Sequence, residues 1–223
     1  MLRKPVAAAL FDMDGLLLDT EVIYIEAMQT AARALGHREM PLEFCHSMVG
    51  VPGRECNLMI EAHYGEGFSI TEFRKHFSVD LRRLMDTGIP VKPGVVELLD
   101  FLAGRGLPLA VATSAGRIAA EHHLGKAGLI DRFMALATRD DVVRGKPHPD
   151  IHLEAARRLG VAPERCLAFE DSNTGLTAAH AAGTMAIMVP DIVPPTDAVR
   201  AKCLAVLSDL HAVLGVLRTS LPV

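Results

Sequence analysis

The stretch Ala7-Ala8-Ala9-Leu10-Phe11-Asp12-Met13-Asp14-Gly15 constrains this chain more than any other. An apolar run of strand length stops at two carboxylates with one residue between them, and a glycine follows. In extended backbone the side chains at i and i+2 point to the same side. Asp12 and Asp14 are therefore expected to face one place at a strand's carboxyl end, with Met13 turned into the core. Open α/β sheets take ligands at that end. Two carboxylates held together repel unless a cation or a shared proton relieves them. A divalent ion is the economical reading, and oxygen donors suggest magnesium. A lone Asp-x-Asp is more often a turn or a solvated pair. A calcium loop aligned on Asp14, Gly15 and Glu21 puts Leu10 at its first ligand position, so that template fails.

Half of the 223 residues are apolar, enough for a sizeable core in one large domain or in one domain with an insert. A formal charge of -4 gives no reason to expect nucleic acid or an anionic membrane as partner. The cysteines Cys45, Cys56, Cys166 and Cys203 are widely spaced and follow no zinc pattern. Cys166 and Cys203 have apolar neighbours and read as small core hydrophobes of a reducing compartment. After Arg3 and Lys4 the apolar stretch is broken by Pro5 and stopped by Asp12, too short for a secretory signal. No run approaches a membrane span. The expectation is a cytoplasmic protein, monomeric by default, with no nucleic-acid or membrane partner.

Beyond Gly15, Ile23, Ala27, Ala31 and Leu35 recur at near-helical spacing, and Gly36 is placed to end that helix. Amphipathic segments follow around Pro52–His63 and Thr71–Met85. In the second, Thr71 reads as the N-cap and Phe73, Phe77, Leu81 and Leu84 as the apolar stripe. No strand is expected between about Asp19 and Asp86. The pattern changes at Ile89-Pro90-Val91-Lys92-Pro93-Gly94, a punctuated return linker. From there helices over Val95–Ala103, Arg117–Ala127 and Ile151–Leu159 alternate with strands over Leu107–Ala112, Phe133–Ala137, Cys166–Phe169 and Met185–Val189. A further helix runs to about Ala182, and a helical region is expected after Thr196. Such alternation implies a parallel sheet with right-handed crossovers, covered on both faces. The expected fold is α/β, a Rossmann-like parallel sheet core (residues 1-15 and 89-223) with an inserted all-α cap domain (16-88).

Four polar features fall where the apolar strands stop or in an adjacent loop: Asp12/Asp14, Thr113/Ser114, Lys146 and Glu170/Asp171. Parallel strands put their carboxyl ends on one edge, so residues distant in sequence can converge there. Taken singly, each has a plainer explanation. Thr113/Ser114 fits a helix cap, Lys146 a surface charge, and Glu170/Asp171 an acidic pair favoured by a helix start. Their recurrence at one edge argues for a site.

The four features resemble the motifs of the haloacid dehalogenase superfamily, specifically its magnesium-dependent phosphatase branch with an α-helical cap. The matching stretches are Asp12-Met13-Asp14-Gly15, Thr113, Lys146 within Gly-Lys-Pro-His-Pro-Asp, and Glu170-Asp171-Ser172-Asn173-Thr174-Gly175. The resemblance implies that Asp12 attacks phosphorus and forms an aspartyl phosphate. It makes Asp14 the acid that protonates the leaving oxygen and then the base that activates water. Asp12, the main-chain oxygen of Asp14, Asp171 and Glu170 are implied to hold Mg2+. Thr113, with the backbone of Ser114 and Ala115, is implied to hold phosphoryl oxygens, and Lys146 to offset their charge. The cap is implied to close over the site and to touch the substrate through Thr20 and through Arg54, within Val49-Gly50-Val51-Pro52-Gly53-Arg54. His148, beside Lys146, is left as loop structure.

The implied activity is hydrolysis of a small phosphorylated metabolite, a sugar phosphate or a nucleoside monophosphate. Dehalogenation is disfavoured, because it needs the nucleophile but no metal. A β-phosphoglucomutase is the enzymatic rival. That enzyme carries a histidine where this chain has Tyr24, and the loop here is one residue longer before Arg54. A receiver-type phospho-acceptor switch is the non-enzymatic rival. Its acceptor belongs on the third strand rather than the first.

Overall fold

Every side chain of β1 (Ala8–Phe11) is buried, as in a strand covered by helices on both faces. The structure, a computed structural model, describes residues 4–49, 51 and 53–221. It divides into two compact units, Met1–Asp19 with Pro90–Val223, and Thr20–Ile89.

The Thr20–Ile89 unit is helical, with α1 (Thr20–Ala34), α2 (Leu42–Ser47), α3 (Gly53–Tyr64) and α4 (Ile70–Thr87). Its core sets small Ala27, Ala31 and Ala32 among Met40, Ile60, Phe73 and Phe77, and α1 packs along α4. The start of α4 corrects the sequence reading. Ser69 is the cap, its hydroxyl accepting from the Glu72 N–H at 3.3 Å, and Thr71 lies in the first turn. Ser69 has the extended backbone of an N-cap residue and the Glu three positions on that favours one. Helix α2 was not expected. Its six residues bury only Cys45, too little to leave a periodic stripe. In the loop before Arg54, Gly50 and Pro52 lie outside the described residues, while Gly53 and Arg54 open α3.

The other unit continues through α5 (Val95–Ala103), β2 (Leu109–Ala112), α6 (Arg117–Lys126), β3 (Ala135–Ala137), α7 (Asp150–Leu159), β4 (Cys166–Glu170), α8 (Asn173–Ala181), β5 (Met185–Met188), α9 (Asp197–Arg200), β6 (Ala205–Val206) and α10 (Leu210–Ser220). The strands form one parallel sheet in the order β3-β2-β1-β4-β5-β6. This is a Rossmann-like core with an inserted all-α unit. The region after Thr196, expected to be helical, contains β6. Two half-buried residues are too short to show a period of two.

On one face of the sheet Ala8, Leu10, Ala110, Ala112 and Ala168 meet Ile151, Ala155, Leu176 and Ala179 of α7 and α8. The small strand residues let those helices approach closely. Phe11 and Phe169 belong to the opposite side of their strands and stack at 4.8 Å. The chain builds β1, β2 and β3 to one side and returns to place β4 on the other side of β1. That reversal makes the carboxyl ends of β1 and β4 the topological switch point, where such sheets bind ligands. The register pairs Phe11 with Phe169, and the Asp12 N–H donates to the Phe169 carbonyl at 3.0 Å. Asp12 and Glu170 are thus the next rung beyond the stacked rings. Among the described residues, no helix is long and apolar enough to cross a membrane.

Candidate active site

Asp12 leaves β1 with its side chain only 10% exposed, and its Oδ1 lies 2.5 Å from Lys146 Nζ. Lys146 comes from the loop before α7, following Gly145 and joined to Pro147 by a cis peptide bond. Its ammonium also lies 2.8 Å from Oε1 of the wholly buried Glu170. Asp12, Glu170 and Asp171 bring carboxylate oxygens within 4.8 Å of one another. Three acidic groups and one ammonium therefore share a nearly dry space, an imbalance that protons or a cation must correct.

The titration behaviour follows from that crowding. Burial pushes the Asp12 carboxyl up to about 7, with Lys146 opposing and the charges of Glu170 and Asp14 adding to the rise. Asp171 is raised well above the usual carboxylate value, first by desolvation and then by Asp12 and Glu170. Glu170 moves the other way: burial raises it, but Lys146 and His152 outweigh that and hold it low. Burial pulls the Lys146 pKa down, but the charges of Asp12 and Glu170 outweigh it and raise the pKa above the ordinary lysine value.

Two glycines are required by this packing. Gly15 takes φ +83°, and an added Cβ would lie 2.4 Å from Asp171 Oδ2. At Gly175 a Cβ would come 1.8 Å from Glu170 Oε2. The turn after Asp14 and the start of α8 thus press backbone against the carboxylates.

The plainer explanations of the remaining features do not hold. Helix α6 is capped by neither Thr113 nor Ser114: its cap residue is Gly116, and the Arg117 N–H donates to Asp140 Oδ2 at 2.8 Å. Thr113 is buried at the end of β2, and its Oγ1 accepts from the Ala115 N–H at 3.0 Å. Ser114 is exposed and Ala115 partly so. Glu170 belongs to β4, and α8 is capped by Ser172 with no acidic residue in its first turn. Met13 is buried as expected. Asp14 is partly buried beside Asp12, but its carboxylate is not among the three that cluster. His148 is an exposed turn residue.

Other predicted residues belong to the helical unit. Thr20 is buried at the start of α1, and Arg54 is exposed in the first turn of α3. Tyr24 lines a cavity of about 220 Å³ inside that unit, together with Met28, Met48, Ile60, Arg74 and Phe77.

Three residues of the site escaped the sequence reading. His152 of α7 is buried, and its Nε2 lies 2.9 Å from Glu170 Oε1. Its signal was a histidine on the apolar face formed by Ile151, Ala155 and Ala156. Lys92, in the return linker, pairs with Asp191 at 2.5 Å and lies 3.6 Å from Asp19. Asp191 in turn approaches Gly15, where an added Cβ would lie 3.1 Å from its Oδ2. Nothing in the spacing of Lys92 and Asp191 marked them as partners.

Both oxygens of Glu170 are buried without an aligned hydrogen-bond donor, despite the short distances to Lys146 and His152. Orphaned hard oxygens beside two further carboxylates suit a small divalent cation. The donor set fits such an ion.

Comparison with known proteins agrees with this geometry. Residues 9–189 match the family model described as haloacid dehalogenase-like hydrolase. A phosphorylated carbohydrates phosphatase of Thermotoga maritima is 36% identical over 177 residues, covering 79% of this chain and 81% of the relative. A Drosophila melanogaster protein named "Probable pseudouridine-5'-phosphatase" is 36% identical over 197 residues, 86% of this chain and 84% of its own. Among solved structures, a Thermotoga maritima protein provisionally described as a β-phosphoglucomutase superposes with a TM-score of 0.84. It is 31% identical and covers 97% of this chain and 100% of its own. The chain belongs to the haloacid dehalogenase-like hydrolases and is a phosphatase, a phosphoric monoester hydrolase.

Proposed function

We propose that this phosphatase hydrolyses a small phosphorylated metabolite, of phosphosugar or nucleoside-monophosphate type, through an aspartyl phosphate on Asp12 with Mg2+ as cofactor. The observation that carries the reading is the Asp12 carboxylate at the switch point, held 2.5 Å from Lys146 and within reach of Glu170 and Asp171. The names of the similar phosphatases, which specify phosphorylated carbohydrates and pseudouridine 5'-phosphate, support the substrate class.

Asp12, Glu170 and Asp171, with the main-chain oxygen of Asp14, are the residues that would hold Mg2+. The ion, when bound, neutralises carboxylate and phosphoryl charge. Asp12 attacks phosphorus and the ester P–O bond breaks. Asp14 gives its proton to the leaving oxygen. Asp14, now a carboxylate, takes a proton from water as that water attacks phosphorus. The Asp12–phosphorus bond breaks, and inorganic phosphate and free Asp12 result. Thr113 has its Oγ1 lone pair engaged by the Ala115 N–H, so its hydroxyl proton is available to a phosphoryl oxygen. Ser114 and Ala115 line the same turn. Lys146 neutralises charge at both nucleophile and phosphoryl group, and its buried ammonium needs no reorganisation to do so.

Phosphate release from a generic aryl phosphate with Mg2+ tests the reading. The wild type is expected to release many phosphates per protein, and Asp12→Asn to lose at least about 10³-fold in kcat while remaining folded. Near-normal activity of Asp12→Asn would assign the nucleophile elsewhere. A single phosphate per chain would favour a phospho-acceptor switch. Tyr24 stands where the mutase has its histidine. With β-glucose 1-phosphate, free phosphate is therefore expected in place of glucose 6-phosphate.

A further inference from the structure

Helix α7 lays Ile151, Ala155 and Ala156 into the sheet core, and His152 shares their buried face. Its side chain is 1% exposed, and Nδ1 finds no hydrogen-bond partner there. An apolar ring of similar size would fill the position without burying an unpaired nitrogen. What distinguishes the imidazole is Nε2, 2.9 Å from Glu170 Oε1. Lys146 Nζ approaches the same oxygen at 2.8 Å, and the opposite oxygen is closed in by Gly175.

We propose that His152 is a positioning residue of the cation site, fixing the Glu170 carboxylate and so setting how tightly Asp12, Glu170 and Asp171 hold a divalent ion. The inference rests on the reading of that cluster as a cation site. Lys146 cannot do this alone, because its ammonium is shared with Asp12 Oδ1 at 2.5 Å. The place of the ammonium depends on Asp12, whereas the imidazole is carried by α7 and buried beside its core residues. Nε2 is the polar atom that faces Oε1 there, and an apolar ring of the same size offers none. Groups that hold a metal's ligands in place typically change affinity by about 10- to 100-fold when removed.

The test measures Mn2+ binding to the full chain by the electron paramagnetic resonance signal of the free ion. His152→Phe keeps the ring volume and removes the donor, and its Kd is expected to rise about 10- to 100-fold. His152→Gln, whose amide nitrogen reaches the place of Nε2, is expected to stay within about threefold of wild type. His152→Asn is too short and should weaken binding as Phe does. The Mg2+ concentration for half-maximal phosphatase activity should rise in parallel for Phe and Asn. Their kcat at saturating Mg2+ should change far less. If His152→Phe does not fold, the comparison of Gln with Asn decides the question alone. Wild-type affinity in Phe or Asn would overturn the role of His152, as would equal weakening in Gln and Phe, which would mark a packing position. A wild type with no Mn2+ affinity would instead overturn the cation-site reading beneath it.

Discussion

Glu170 is wholly buried, and the start of α8 leaves no room for a side chain opposite it. A methyl group at position 175 would lie 1.8 Å from Oε2 and 2.9 Å from Ser172 Oγ. Glu170 is wholly buried, with Lys146 and His152 close to its other oxygen, so its carboxylate cannot swing into free space and must turn, or α8 must shift. Overpacking of this kind costs about 1–3 kcal/mol, and a small misplacement of a site group costs far more in rate than in stability. Gly175→Ala is therefore expected to lower the unfolding free energy measured in urea by that amount and phosphate release by at least about 10²-fold. Gly125→Ala is the control: it lies within α6 with nothing near its missing Cβ. That variant should be neutral or stabilised by up to about 1 kcal/mol. Equal behaviour of the two variants would show that the crowding at Gly175 is relieved without touching Glu170.

At the scale of elements, Asp141 ties the end of β3 to α6 and α7. Its Oδ2 accepts from the Thr138 N–H at 2.7 Å and the Thr138 hydroxyl at 2.8 Å. Arg117 and Arg158 each approach its carboxylate at 2.7 Å. Burial alone would raise its pKa, but the bonds from Arg158 and Thr138 outweigh that and hold the carboxyl well below the ordinary aspartate value. A carboxyl depressed on folding contributes stability that is fully present above its unfolded pKa. That contribution is lost as the pH falls through the folded value. Asp141→Asn is expected to cost about 1–3 kcal/mol at pH 7 and to flatten the loss of stability below about pH 4. Chemical unfolding from pH 7 to pH 2 checks both, and an unchanged acid slope would remove Asp141 from the account. The N-cap of α4 gives a smaller effect in the other unit. Ser69→Ala should cost about 1 kcal/mol, and Thr71→Ala much less, since Ser69 accepts the Glu72 N–H.

These elements also show what the chain revealed before its structure. Strand ends at Asp12, Thr113 and Glu170 were legible because an apolar run stopping at a polar residue marks both the strand and its edge. Lys146 was legible as a loop residue, and the parallel sheet supplied the convergence. His152 was not, because a buried imidazole among Ile151, Ala155 and Ala156 reads as one more core side chain until Glu170 is seen 2.9 Å away. Lys92 and Asp191 were hidden for a related reason, since a contact between a linker and a distant loop leaves no periodic trace. The sixth strand and α2 were missed for want of length. Thr71 reads as the cap from sequence because it precedes the apolar stripe, whereas the helix begins one residue before it and takes its cap from Ser69.

At the scale of the molecule, each unit has a hydrophobic cluster made of its own residues, Ala8 to Val199 in the sheet unit and Ala27 to Phe77 in the helical one. Compact units with their own cores can open with their own free energies. The carboxylates Asp12, Glu170 and Asp171 all belong to the sheet unit. A cation bound there stabilises the state that binds it by about 2.7 kcal/mol at a hundred times its Kd. Hydrogen exchange with Mg2+ present, and again after chelation, is thus expected to differ unevenly along the chain. Amides of β1 and β4, and the Asp12 N–H bonded to Phe169 just beyond β1, should gain protection of about that size, approaching 10²-fold in exchange rate. Amides of α3 and α4 should change by less than about threefold, because no cluster carboxylate lies in their unit. Equal gains throughout would mean that the chain opens as one cooperative body whatever the division of its cores. No gain in β1 and β4 would mean that the three carboxylates do not hold the ion, and the proposed chemistry of Asp12 would lose its cofactor.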